Sequence, residues 1–246
     1  MDFCKTPAIT LKRSNFSDSS QIITFYTRDY GKIQTIAKGI KRSVKGISGG
    51  IDLLTYNNIV FIQKEHSGLN ILTEWILKDN FHLLRENSRK SYSAFYILEL
   101  VREFTQENDK NEQLFELFVN ILYKIAGKGD PVVNTLAFKV RMLALLGFMP
   151  EMNHCVACKA KMNSIKYAFF SVSEGGLHCQ NCRRNTKGLV KISGGAIAII
   201  NYLADKAFQK IERLTIQPSL QDEVKKLLRY YISFLLSKEL KMWRYL

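Results

Sequence analysis

The alternation of apolar and polar positions divides the chain into three stretches of different character. In residues 1 to about 80, Ile9 and Leu11 alternate with polar neighbours, and so do Ile23, Phe25 and Thr27; a period of two marks half-buried strands. Asp29-Tyr30-Gly31-Lys32 predicts a hairpin turn, because Gly31 accepts a positive φ, and Ile33, Thr35 and Ala37 continue as the return strand. Residues 38–50, rich in Gly, Ser and Lys, predict an exposed loop, and the apolar runs at 59–62 and 69–72 add two more strands. About five short strands in so short a stretch predict a small barrel of the OB (oligonucleotide/oligosaccharide-binding) type rather than a sandwich.

From about 81 to 150 the period becomes helical. Leu114, Leu117, Phe118, Ile121, Leu122 and Ile125 follow the i, i+3, i+4, i+7 template. Asp130-Pro131 predicts an N-cap followed by proline in the first turn, and Gly147 is placed to end the helix that carries Leu136, Val140 and Leu143. After residue 192, Ile197, Ile200, Leu203 and Ala204 predict another helix. Ser219 with Asp222 predicts the cap of a last one, whose apolar stripe is Val224, Leu227, Leu228, Tyr231 and Leu235. These leucines and aromatics read as core packing.

Composition adds one unusual number. The 246 residues are 46% hydrophobic and 24% charged, ordinary for a globular protein, but 36 Lys and Arg against 22 Asp and Glu leave +14. Such a charge draws polyanions and speeds association with them. No window holds the roughly 18–20 apolar residues of a membrane span, and the first residues lack the basic start and apolar run of a signal peptide. The expectation is a cytoplasmic protein with reduced thiols and no membrane partner.

Five cysteines then divide into four ligands and a spare thiol, Cys4. Cys155-Val-Ala-Cys158 and Cys179-Gln-Asn-Cys182 are two C-x2-C pairs with 20 residues between them, a spacing that predicts one tetrahedral Zn2+ site. Tyr167, Phe169 and Ser171 alternate toward Glu174-Gly175-Gly176, a turn that folds Cys179 back beside Cys155. Two symmetric knuckles favour zinc over an iron–sulfur cluster, and a redox pair would occur once. Four thiolates close the coordination sphere, so the zinc is expected to be structural and not catalytic. His154 and His178 adjoin the cysteines without being needed as ligands. Lys159, Arg183 and Arg184 either meet DNA or offset a centre of charge about −2.

In the barrel, Arg28, Lys32, Lys38, Lys41, Arg42 and Lys45 are joined by Phe25, Tyr26 and Tyr30, with Asp29 as the acid among them. Cations for phosphates and rings for bases are how OB domains hold single strands; the rings are alternatively part of the barrel core.

The order Thr10-Leu11-Lys12-Arg13, Thr27-Arg28-Asp29-Tyr30-Gly31-Lys32, Ala37-Lys38-Gly39-Ile40-Lys41-Arg42, Phe95 to Leu100, Leu114-Phe115-Glu116-Leu117-Phe118 and finally Leu143-Ala144-Leu145-Leu146-Gly147-Phe148-Met149-Pro150-Glu151 resembles the RecO family of bacterial DNA repair proteins over nearly the whole chain. The resemblance implies an α+β, multi-domain fold. An OB-fold β-barrel at 1–80 would precede an α-helical C-terminal domain at 81–246, with an inserted Cys4 zinc-ribbon-like finger at about 151–192. It implies a recombination mediator of the RecF pathway that binds single- and double-stranded DNA, anneals complementary strands and helps load RecA on DNA coated by single-strand-binding protein. The implied partners are RecR and the C-terminal tail of the single-strand-binding protein, and the implied location is the bacterial cytoplasm, at the nucleoid when bound to DNA. Lys38, Lys41 and Arg42 inherit a DNA-binding role, and Arg13, Arg28, Lys32 and Lys45 complete the expected contact set.

Two other classes compete. An RNA-binding zinc protein fits the same composition. A nucleic-acid-processing enzyme needs clustered carboxylates or an activated nucleophile, whereas the acids are scattered and His66, His82, His154 and His178 sit in no catalytic motif. No G-x-x-x-x-G-K-[ST] loop is present, so ATP dependence is not expected.

Overall fold

Strands β1 (Phe3–Asn15), β2 (Gln21–Thr27), β3 (Gly31–Ala37), β4 (Tyr56–Ile62) and β5 (Asn70–Asp79) close into a barrel of order β1-β2-β3-β5-β4. All pairings are antiparallel except β3 with β5, where Thr35 faces Asn70 and Ile36 faces Ile71. That is the five-stranded OB arrangement. The computed structural model describes residues 2–40, 51–64, 69–162, 165–185, 188–205 and 214–246.

The barrel interior is Cys4, Ala8, Ile23, Phe25, Ile33, Ala37, Ile59, Phe61 and Leu72, capped by Ile40 and Ile51. The outer side of β2 is covered as well. Tyr26 is fully buried, its ring 6.1 Å from Phe115 and its hydroxyl 3.4 Å from the Asn111 carbonyl oxygen it donates to. Tyr30 packs edge-on against Phe61 at 5.2 Å. The alternative of base-stacking rings therefore falls away for Phe25 and Tyr26, which are 0% exposed.

Helices α1 (His82–Arg85), α2 (Ser88–Phe104) and α3 (Glu112–Ala126) belong to the same compact unit, Met1–Lys128 with Met242–Leu246. Asn87 and Asn111 cap α2 and α3 by accepting from the N–H groups of Lys90 and Leu114. Their connector lies along β3: Asn108 N–H donates to the Lys32 carbonyl at 2.9 Å, and Lys32 bridges Glu107 in parallel. Gly31, at φ 66°, is required at this approach, since a Cβ there would stand 2.2 Å from the Asp109 carbonyl oxygen.

The second unit is Gly129–Lys241. Here Asp130 caps α4 (Pro131–Leu145) by accepting from Val132 N–H with Pro131 in the first turn, as the sequence predicts. Gly147 follows at φ 77°. A four-stranded sheet of order β6-β8-β7-β9 comes next, from β6 (Glu151–Cys155), β7 (Tyr167–Ser171), β8 (Gly176–His178) and β9 (Val190–Ser193). Helices α5 (Gly194–Asp205) and α6 (Pro218–Leu236) complete the unit. The expected Ser219 cap is corrected. Helix α6 starts two residues earlier, with Gln217 at its cap making no side-chain bond and Pro218 opening the first turn, because proline's fixed φ already initiates the helix.

The expected boundary at 80/81 falls just after β5, whereas the compact units divide at 128/129. The difference arises because α1 to α3 pack with the barrel: α3 covers β2, and the α2–α3 connector lies on β3.

Candidate functional site

Two features carry chemistry, one in each unit. The first is built from two knuckles. The turn after β6 brings Cys155 and Cys158 to one side, with Lys159 N–H donating to the Cys155 carbonyl at 2.9 Å, and the β7–β8 hairpin returns Cys179 and Cys182 to them. All four Sγ atoms lie within 4.8 Å of one another. No disulfide joins them. Cys158 Sγ and Cys179 Sγ are 3.8 Å apart, and a tetrahedron with metal–sulfur bonds of about 2.3 Å has edges of about 3.8 Å. The donor set therefore fits a metal ion.

Electrostatics agree. Burial alone would raise the Cys155 thiol, but the N–H groups of Cys158, Cys179 and Ala157 hold it at about 6, and Cys179 N–H stands 3.4 Å from its sulfur. Cys182, hydrogen-bonded with the Cys158 and Cys179 thiols, is pushed up to about 12. Four thiols sharing one spot cannot all ionise without an added positive charge, and a divalent cation supplies it. The histidines stay out of this cluster. His154 is half-buried beside Glu151, and His178 is buried with Nε2 3.3 Å from Glu174 Oε1.

The second feature is the charged surface of the barrel. Its expected cations do not form one rim. Register places Arg28 and Lys32 at the β2–β3 hairpin, while Arg13, opposite Ile23, and Lys38, just past Ala37, sit at the other end. Six residues of strand separate the ends, about 20 Å. Arg28 is held by Asp29 at 3.2 Å. The Lys32 ammonium donates to the carbonyl oxygens of Arg102, at 2.8 Å, and Thr105, and burial lowers its pKa. Arg13 contacts Asp52 at 3.3 Å and remains 40% exposed, and Lys38 is exposed. Lys41, Arg42 and Lys45 lie outside the described residues.

Sequence reasoning passed over three neighbours of Arg13. Lys12 is exposed beside it. Arg85 approaches the same Asp52 at 3.7 Å and donates to the Leu53 carbonyl at 2.9 Å. A 560 Å³ groove next to them is lined by Ile51, Asp52, Asn57, Trp75, Leu77 and Arg85. The available signal was Trp75-Ile76-Leu77: three consecutive apolar residues on a strand must send at least one outward, and all three are at least 40% exposed.

A closed OB barrel, packed helices and a four-thiol finger define an OB-fold protein with a helical C-terminal part and a metal-ribbon insertion. Comparison with known families narrows the class. The model for recombination protein O, N terminal, matches residues 1–81, and that for recombination protein O, C terminal, matches residues 85–244. The chain belongs to the RecO family. It is similar to the DNA repair protein RecO of Caldicellulosiruptor bescii, with 31% identity over 242 residues, 98% of this chain and 97% of the relative. The DNA repair protein RecO of Syntrophus aciditrophicus is 31% identical over 240 residues, 96% and 92% of the two chains. That of Rhodopirellula baltica is 32% identical over 200 residues, 81% and 74%. Among the described residues, no helix is long and apolar enough to cross a membrane.

Proposed function

We propose that the protein is a DNA-binding recombination mediator of the RecF pathway that works by binding, without covalent catalysis. It binds single- and double-stranded DNA, anneals complementary strands and helps load RecA on strands coated by single-strand-binding protein. Its protein partners are RecR and the C-terminal tail of the single-strand-binding protein, and its place is the bacterial cytoplasm, at the nucleoid when bound to DNA. The observation that carries this reading is the pair of RecO family matches at 1–81 and 85–244. Added support comes from the net charge of +14 and from the barrel end where Lys12, Arg13 and Lys38 are exposed.

In this reading residues 1–80 are the DNA-binding domain, and Lys38, Lys41 and Arg42 make its main phosphate contacts. Residues 81–246 form the helical domain, with the finger at 151–192. The metal is one Zn2+ held by Cys155, Cys158, Cys179 and Cys182. When bound it cross-links the two knuckles, and with four thiolates it leaves no open position for water. Lys32 serves the fold.

Strand annealing tests the proposal. Purified protein should accelerate pairing of complementary oligonucleotides at low salt without ATP, with and without single-strand-binding protein present. Charge reversal at Lys38, Lys41 and Arg42 should abolish the acceleration with the circular dichroism spectrum unchanged. No acceleration by the unaltered chain sinks the mediator reading, and stronger binding to RNA than to DNA of the same sequence shifts it to an RNA-binding zinc protein.

A further inference from the structure

The finger sheet has two unlike faces. Ala168, Phe170, Leu177 and Ile192 are on the buried face, each at most 1% exposed. The opposite face carries Tyr167 and Phe169 from β7 and Lys191 from β9, which stands opposite Phe169 in register. The Tyr167 and Phe169 rings meet edge to face at 5.8 Å. Lys191 Nζ lies 4.3 Å from the centre of the Tyr167 ring, and the Arg183 guanidinium lies 4.9 Å from that of Phe169. Both cations are exposed, and among the described residues no carboxylate lies within ion-pair distance of either.

That pairing matters chemically. A carboxylate partner fixes a cation by neutralising it. An aromatic ring fixes it through its quadrupole and leaves the charge intact. Arg183 and Lys191 are thus pre-positioned yet uncompensated. A guanidinium with one side on a ring also keeps its other side for a base and its N–H edge for a phosphate.

Charge arithmetic decides whether these cations serve only the metal centre. Residues 151–192 hold seven Lys and Arg against Glu151 and Glu174. A tetrathiolate zinc centre contributes about −2, so the finger stays net positive with the metal bound. The surplus is what a polyanion would meet.

We propose that the outer face formed by Tyr167, Phe169, Arg183 and Lys191 is a second contact surface for single-stranded nucleic acid. Phosphates meet the two cations, and a base stacks on the Phe169–Arg183 pair. This deepens the DNA-binding reading above and rests on it. An annealing protein gains from such an arrangement, since one strand on the barrel and another on the finger are held by one molecule.

The test uses the full-length, zinc-loaded chain and a fluorescent single-stranded oligonucleotide, titrated at several salt concentrations. Arg183→Gln with Lys191→Gln should weaken binding about tenfold and reduce the slope of log K against log salt by about 1.4, two contacts of about 0.7 each, with zinc content unchanged. Photo-crosslinking of a bromodeoxyuridine oligonucleotide to the unaltered chain should label the peptide containing Tyr167 and Phe169, and this decides the matter if the double variant fails to hold zinc. Unchanged affinity and slope in a zinc-replete variant, or crosslinks confined to barrel peptides, overturn the second surface while leaving the barrel's role standing. A variant that binds oligonucleotide normally but anneals poorly only with a partner protein present makes the face a protein-docking surface and overturns the proposal. Absence of any binding by the unaltered chain at low salt removes the DNA-binding reading itself.

Discussion

Lys32 Nζ on β3 donates to the carbonyl oxygen of Arg102, 2.8 Å away in the last turn of α2. The last carbonyls of a helix have no partner within it and carry its negative end. The ammonium satisfies two of them at once, at Arg102 and Thr105. A lysine that reads as a DNA contact in sequence is thereby a helix cap.

Replacing it should cost stability more than binding. Lys32→Met is expected to destabilise the protein by about 2 kcal/mol, the scale of a charged hydrogen bond whose partners are left behind. Oligonucleotide affinity at fixed salt should change less than twofold. Urea midpoints and a fluorescence titration on the same preparation check both halves. Loss of affinity without loss of stability returns Lys32 to the DNA surface.

The exposed cations at the other end of the barrel should behave oppositely. Lys12→Ala and Lys38→Ala should each reduce the slope of log K against log salt by about 0.7 on single strands. Unfolding midpoints should be unmoved, since among the described residues neither side chain has an ion-pair partner. A Lys38 variant with an unaltered slope takes that residue out of the contact.

Metal removal should act locally. Cys158→Ser is expected to lower zinc from one equivalent per chain, read by elemental analysis, and to open 151–192 to limited proteolysis. DNA binding should survive in part through the barrel. Full zinc retention in the variant would point to a different ligand set.

A buried lysine supplies a pH dependence. Lys139 on α4 is 1% exposed, and burial, helped by the charge of Lys225, lowers its pKa to about 7. Between that value and the ordinary lysine value near 10.5, the unfolded chain binds a proton that the folded one does not. Its contribution to stability therefore rises with pH over that window, by about 1.4 kcal/mol per pH unit, and is flat below it, where both states are protonated. Urea midpoints at pH 7, 8 and 9 should climb more steeply in the unaltered protein than in Lys139→Met. Equal slopes refute the shift.

What the sequence makes legible is local. Asp130-Pro131 is a complete helix start in two residues, and each C-x2-C knuckle holds two ligands within one turn, so both are read without tertiary knowledge. What escapes depends on distant partners. Lys32 looks free because Arg102 and Thr105 are some 70 residues away. Alternation marks Phe25 as inward, but Tyr26, on the other face, looks available until α3 covers it. The Ser219 cap is a local misreading, where Pro218 outranks a side-chain cap.

The connector that lies along β3 has a bearing on where this chain can be cut. Ending it at residue 81 keeps all five strands but removes Asn108, whose N–H occupies the Lys32 carbonyl, and Glu107, which bonds Gln34. Beyond the short β5 pairing at Thr35 and Ile36, the rim of β3 would then present unpaired main-chain groups, a template for strands of other molecules. The barrel's protection against edge-to-edge association is written outside the barrel, in residues 105–109.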